Sequence, residues 1–114
     1  RIPLDEAERR RFGSDHAAIG GDLLDTWRFP RELSDPIRHH HDPERCPERH
    51  RVHAMLIQAA DYLCNSHGIG YSGNAHPAIP PARTFELLRI REEEVESHLE
   101  ALRNEPLLIA LLPA

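Results

Sequence analysis

The chain has no lysine at all; its fourteen basic side chains are arginines, set against nineteen carboxylates for a formal net charge of −5. No basic stripe interleaved with aromatics is present, which argues against nucleic-acid binding. The short cluster Arg9-Arg10-Arg11 is flanked by Asp5, Glu6 and Glu8 and reads as a solvated helix face. Aromatics are few: Trp27, Tyr62, Tyr71 and three phenylalanines. The two cysteines, Cys46 and Cys64, form no C-x-x-C pair, and thiols without a secretory signal point to a reducing, cytoplasmic setting. No apolar run approaches the roughly 20 residues of a membrane helix, and no signal-peptide pattern opens the chain. Gly68-Ile69-Gly70-Tyr71 is too short and wrongly framed for a phosphate-binding glycine loop. There is no convincing strand pattern, repeat or low-complexity tract. The expectation is one all-α domain over residues 1–114, a bundle of about five to six helices.

The chemistry present is concentrated in Ile37-Arg38-His39-His40-His41-Asp42. Imidazole and carboxylate together suit Zn, Fe, Mn or Ni better than Mg or Ca. On a helix, His40 and His41 would diverge by about 100°, serving a metal from different directions. The plainer alternative is a set of solvated histidines complementing the dipole at a helix C-terminus.

Around that run the pattern predicts a polar helix over 4–12 stopping at Gly13, then a helix capped by Ser14 or Asp15 and running to about Phe29. On the latter, His16, Ile19, Gly20, Leu23, Leu24 and Trp27 fall on one buried-facing stripe. Gly20 and Gly21 each cost about 1 kcal/mol in a helix interior, and their missing side chains would let a neighbouring backbone approach closely. A helix from Pro30 or Arg31 to about His40 is interrupted by Pro36, where it is expected to break in two. A two-proline loop follows, then a long helix from about Arg49 to Ser66 with Val52, Met55, Leu56, Ala59, Ala60 and Leu63 as its apolar face. Asp61 lies at the edge of that face, where a carboxylate must be paired, hydrogen-bonded or bound to a cation. Residues 67–81 are loop, helices follow at 84–88 and about 91–103, and the apolar tail 106–112 is expected to dock.

Read in order, Glu6, Asp15-His16-Ala17-Ala18-Ile19-Gly20, Leu23-Leu24-Asp25-Thr26-Trp27, Phe29-Pro30, the histidine run and Gln58-Ala59-Ala60-Asp61-Tyr62-Leu63-Cys64 resemble the C-terminal half of an HDOD domain, a branch of the HD superfamily. The resemblance runs from about Glu6 to Leu102, with Phe85-Glu86-Leu87-Leu88-Arg89-Ile90 similar to the closing segment. It implies an HD-superfamily-like helical bundle. The same positions resemble metal-ligand positions of the related HD-GYP phosphodiesterases, which implies His16, His40, His41 and Asp61 as ligands of Fe, Mn or Zn. His39 falls where the family often has an aromatic. A more compact set of His16, His41-Asp42 and Asp61 is the lesser variant. The superfamily's His…His-Asp pair belongs on helices preceding Arg1, which implies a longer parent protein with further domains. Asp42-Pro43-Glu44-Arg45 stands where HD-GYP enzymes carry their signature.

Three functions follow as expectations. One is a bacterial regulatory or signal-transduction domain, with or without metal. Another is a fragment of a metal-dependent phosphohydrolase. The last is a structural helical module. In the resembled fold, upstream helices cover the His16–Trp27 stripe and part of the 52–63 helix. Left bare, a patch of about 400 Å² would be worth on the order of 10 kcal/mol to cover, which favours a homodimer through this face.

Overall fold

A computed structural model describes residues 1–70 and 72–111. Among these residues the chain is all helical, with no strand. Helix α1 spans Leu4–Phe12, α2 His16–Thr26, α3 Arg31–Arg38, α4 Glu48–Ser66, α5 Ala82–Leu87, α6 Glu92–Arg103 and α7 Pro106–Leu111, with a 3₁₀ turn at Pro43–Arg45 before α4. The first six match the expected bundle; α7 is the tail. Leu107 of that tail is exposed, whereas Leu112 and the loop residue Tyr71 lie outside the described residues.

The stops and starts follow local chemistry. Gly13 ends α1 in the left-handed conformation (φ 79°) that glycine adopts without a Cβ clash, and its N–H returns to the Arg9 carbonyl. Asp15 caps α2, accepting from the Ala18 N–H at 2.9 Å. Pro36 does not break α3, contrary to expectation: the helix continues through it to Arg38, and the ring is fully buried. Pro36 forfeits one backbone bond, to the Glu32 carbonyl, and the helix ends two residues later at Arg38.

The apolar pattern of α2 misplaces its packing face. Ile19, Leu23 and Trp27 are 59%, 44% and 61% exposed, whereas Ala17 and Gly21 are buried. Helix α2 meets α3 through its small residues. A Cβ on Gly21 would lie 2.7 Å from Arg38 Cβ, and one on Gly20 would lie 3.2 Å from Ile37 Cγ2. Contact at that range lets Arg38 reach back across α2, pairing with Asp22 and, at 2.6 Å, with Asp25. Helix α4 shows the same bias: Ala54, Met55 and Ala59 are buried, while Val52 and Leu56 stand exposed. Leu99 of α6 and Cys46 complete the apolar core.

Gly21→Ala would gain about 1 kcal/mol of helix propensity but force an overlap at Arg38 Cβ costing about 1–3 kcal/mol. A net fall in thermal midpoint is expected. Gly20→Ala, where a methyl group need give only slightly, is expected to be neutral or mildly stabilising. Thermal denaturation of the two variants in parallel reads the difference.

Candidate metal centre

Helix α2 and the turn after α3 bring three imidazoles together. Because the two helices pack antiparallel, the first residue of α2 lies beside the chain leaving α3. His16 occupies the first position of α2, and His40 and His41 sit in the turn that follows Arg38. The double histidine is therefore not helical. Leaving the helix brings the two rings together instead of splaying them by a helical step, with centroids 4.0 Å apart. The His16 ring centroid lies 4.7 Å from that of His41 and 5.6 Å from that of His40. One donor atom from each of the three falls within 4.8 Å of the other two.

Hydrogen bonds assign the nitrogens. His16 Nδ1 lies 2.7 Å from Glu8 Oε2, and His40 Nδ1 lies 2.6 Å from the Ile37 carbonyl oxygen. Both partners only accept, so in neutral rings both Nδ1 atoms carry the proton and both Nε2 atoms keep a lone pair. His41 Nε2 lies 2.8 Å from His16 Nε2, and as that atom is an acceptor, His41 donates. Two nitrogens bound to one tetrahedral ion at about 2.05 Å stand about 3.3 Å apart. The His16–His41 pair would open by roughly half an ångström to admit one. The three donors suit a divalent transition ion in chemistry, and a spread of up to 4.8 Å would have to close for one ion to meet all three.

Asp61 borders this cluster without joining it. Together with His16, His40, Glu8, Ser72 and Asn74 it lines a cavity of about 310 Å³. Its Oδ1 accepts from Asn65 Nδ2 at 3.0 Å. His39 is not among the clustered donors; it lines a cavity of about 630 Å³ with Arg9, Arg38, Arg45 and, from the trio, His41. Asp42, the carboxylate of the compact variant, lines that same cavity and is not among the clustered donors.

Sequence reasoning missed Glu8. Its spacing to His16 crosses a helix break, so no helical periodicity connects them. The signal available was the left-handed stop at Gly13, which turns the end of α1 back along α2.

Burial lowers the pKa of His41; the neighbouring His40 and His16 push the same way, against the carboxylates of Asp5 and Asp61. The unfolded chain therefore binds this proton more readily than the folded one. The stability His41 contributes is full above the ordinary histidine range near 6.5 and is lost as pH falls below it. In histidine NMR of metal-free protein, His41 is expected to titrate below the ordinary histidine value. Denaturant midpoints should fall between pH 7.5 and 5.5, and less steeply in His41→Gln.

The family model described as HDOD domain matches residues 1–43, which covers α1, α2, α3 and all three clustered histidines and ends before α4 and Asp61. No curated protein and no solved structure matches the chain at a significant level. The stretch that carries the whole histidine cluster is thus the part of the chain that is similar to the HDOD domain.

Proposed function

We propose that this chain acts as an HDOD-type regulatory, signal-transducing domain of a bacterial cytoplasmic protein, and that it holds a divalent transition metal at His16, His40 and His41 with Asp61 as a fourth donor. The observation that carries the metal reading is the convergence of three imidazoles, two of them with Nδ1 committed to an acceptor and Nε2 left as a donor atom. That is the usual arrangement of histidine ligands, in which the distal nitrogen is oriented by a carboxylate or carbonyl. Asp61 lines the same 310 Å³ cavity as His16 and His40 and would join by leaving Asn65. Regulation is favoured over hydrolysis because Asp42-Pro43-Glu44-Arg45 replaces the HD-GYP signature after the double histidine.

A metal-dependent phosphohydrolase is the second reading, favoured by that same cavity beside the cluster. A divalent ion there would supply Lewis acidity toward a phosphoryl oxygen. The residues' own part would be to orient the ligand nitrogens and, through Ser72 and Asn74, to offer hydrogen bonds to a bound group.

Metal analysis tests the centre. Stoichiometric Fe, Mn or Zn is expected in the purified protein, with loss in His16→Ala and in His40→Ala. Metal-free protein that takes up none of the three at micromolar concentration would sink the reading. No turnover of phosphomonoesters or phosphodiesters is expected from the 114-residue chain; metal-dependent turnover abolished by His40→Ala would promote the second reading.

For partners, we propose self-association through the bare face of Ile19, Leu23 and Trp27, most simply as a two-fold dimer. Light scattering should show a concentration-dependent mass above 13.0 kDa that Trp27→Glu returns to the monomer. Other domains of a longer parent protein would compete for the same face.

A further inference from the structure

The structure places a carboxylate on the histidine cluster whose two contacts do different jobs. Glu8 Oε2 accepts from the backbone N–H of His16 at 2.9 Å and meets the same residue's Nδ1 at 2.7 Å. The first contact fixes the carboxylate relative to the His16 backbone. The second, made by the same oxygen, then fixes the ring. Helix α2 does not need Glu8 as a cap, since Asp15 already serves its Ala18 N–H. Among the described residues no arginine pairs with Glu8, although Arg9 pairs with Asp5 and Asp15 and Arg10 with Glu6. Among the described residues its charge therefore meets His16, through the backbone N–H and the ring.

We infer that Glu8 is a positioning residue: it holds His16 in the tautomer protonated at Nδ1 and thereby presents Nε2 to the cluster. A carboxylate accepts but cannot donate, so the ring nitrogen facing it must carry the hydrogen. The negative charge behind the ring favours a cation bound at Nε2, strengthening it as a donor. His40 is oriented by a neutral carbonyl, and the same bond there lacks that charge. His16 is the more exposed of the two, so its ring has less packing to hold it and depends more on this contact. The assignment rests on the metal-centre reading for its consequence, not for its geometry.

Glu8→Gln keeps the shape and removes the charge, and its amide can either accept from or donate to the ring. In metal-free protein, long-range ¹⁵N–¹H spectra should show His16 protonated at Nδ1 in the native chain and a mixture of tautomers in Glu8→Gln. Calorimetric titration with Zn²⁺ should give a 10–100-fold weaker affinity in Glu8→Gln. In a His16→Ala background, the same substitution should add no further loss. Circular dichroism of each variant reports whether the fold is kept, and the His16→Ala background shows whether any loss runs through His16. A native His16 protonated at Nε2, or a tautomer indifferent to Glu8→Gln, overturns the inference. So does equal Zn²⁺ affinity in the native chain and Glu8→Gln. If the native chain binds no metal yet the tautomer shifts as stated, the metal centre fails and the Glu8 assignment stands.

Discussion

The close approach of α2 and α3 at Gly20 and Gly21 is the constraint on which the histidine cluster depends. With no Cβ at either position, the axes come near enough for Arg38 to pack on Gly21 and pair with Asp22 and Asp25. The pair runs antiparallel, so fixing Gly21 against Arg38 also fixes His16 against the turn that carries His40 and His41. A wider separation would place the rings on opposite sides of a gap. The site is thus an end effect of a helix hairpin, and its geometry is inherited from a contact more than one helical turn away.

The absence of lysine fits the way charge is used. Arg9 holds Asp5 and Asp15 together, and Arg38 holds Asp22 and Asp25. A planar guanidinium with five donors can join two carboxylates at once, which a single ammonium on a flexible stem does less well. Asp15 shows the balance: burial raises its pKa, but the Ala18 N–H and then Arg9 outweigh that, and the net direction is down. Arg9 therefore binds the end of α1 to the start of α2, close beside His16.

Helix positions were legible in the sequence because stops and starts are local. Gly13, Asp15 and the spacing of α4 and α6 each specify themselves within a turn or two. Which face of α2 would be buried was not legible, because the contact is made by residues with almost no apolar surface to register as a pattern. Ile19, Leu23 and Trp27 carry the hydrophobic signal, yet face solvent. Of the candidate ligands, His16, His40 and His41 converge, and the resemblance to the HD-GYP ligand positions was the clue to all three. Asp61 lines a cavity beside them but is not among the clustered donors. Glu8 was invisible, since the link between it and His16 runs through a left-handed glycine, and periodicity does not survive such a reversal.

That reversal sets a rule on how the gene can change. Between Phe12 and His16 only Gly13, Ser14 and Asp15 intervene, and each has a fixed job or a fixed place in the turn. One residue more or fewer would shift His16 by a Cα–Cα step of about 3.8 Å relative to α1, beyond the reach of the Glu8 carboxylate. Surface loops commonly drift in length among relatives, but this one is a ruler. Any relative that keeps the histidine cluster in working order should keep three residues here, whatever their identity elsewhere.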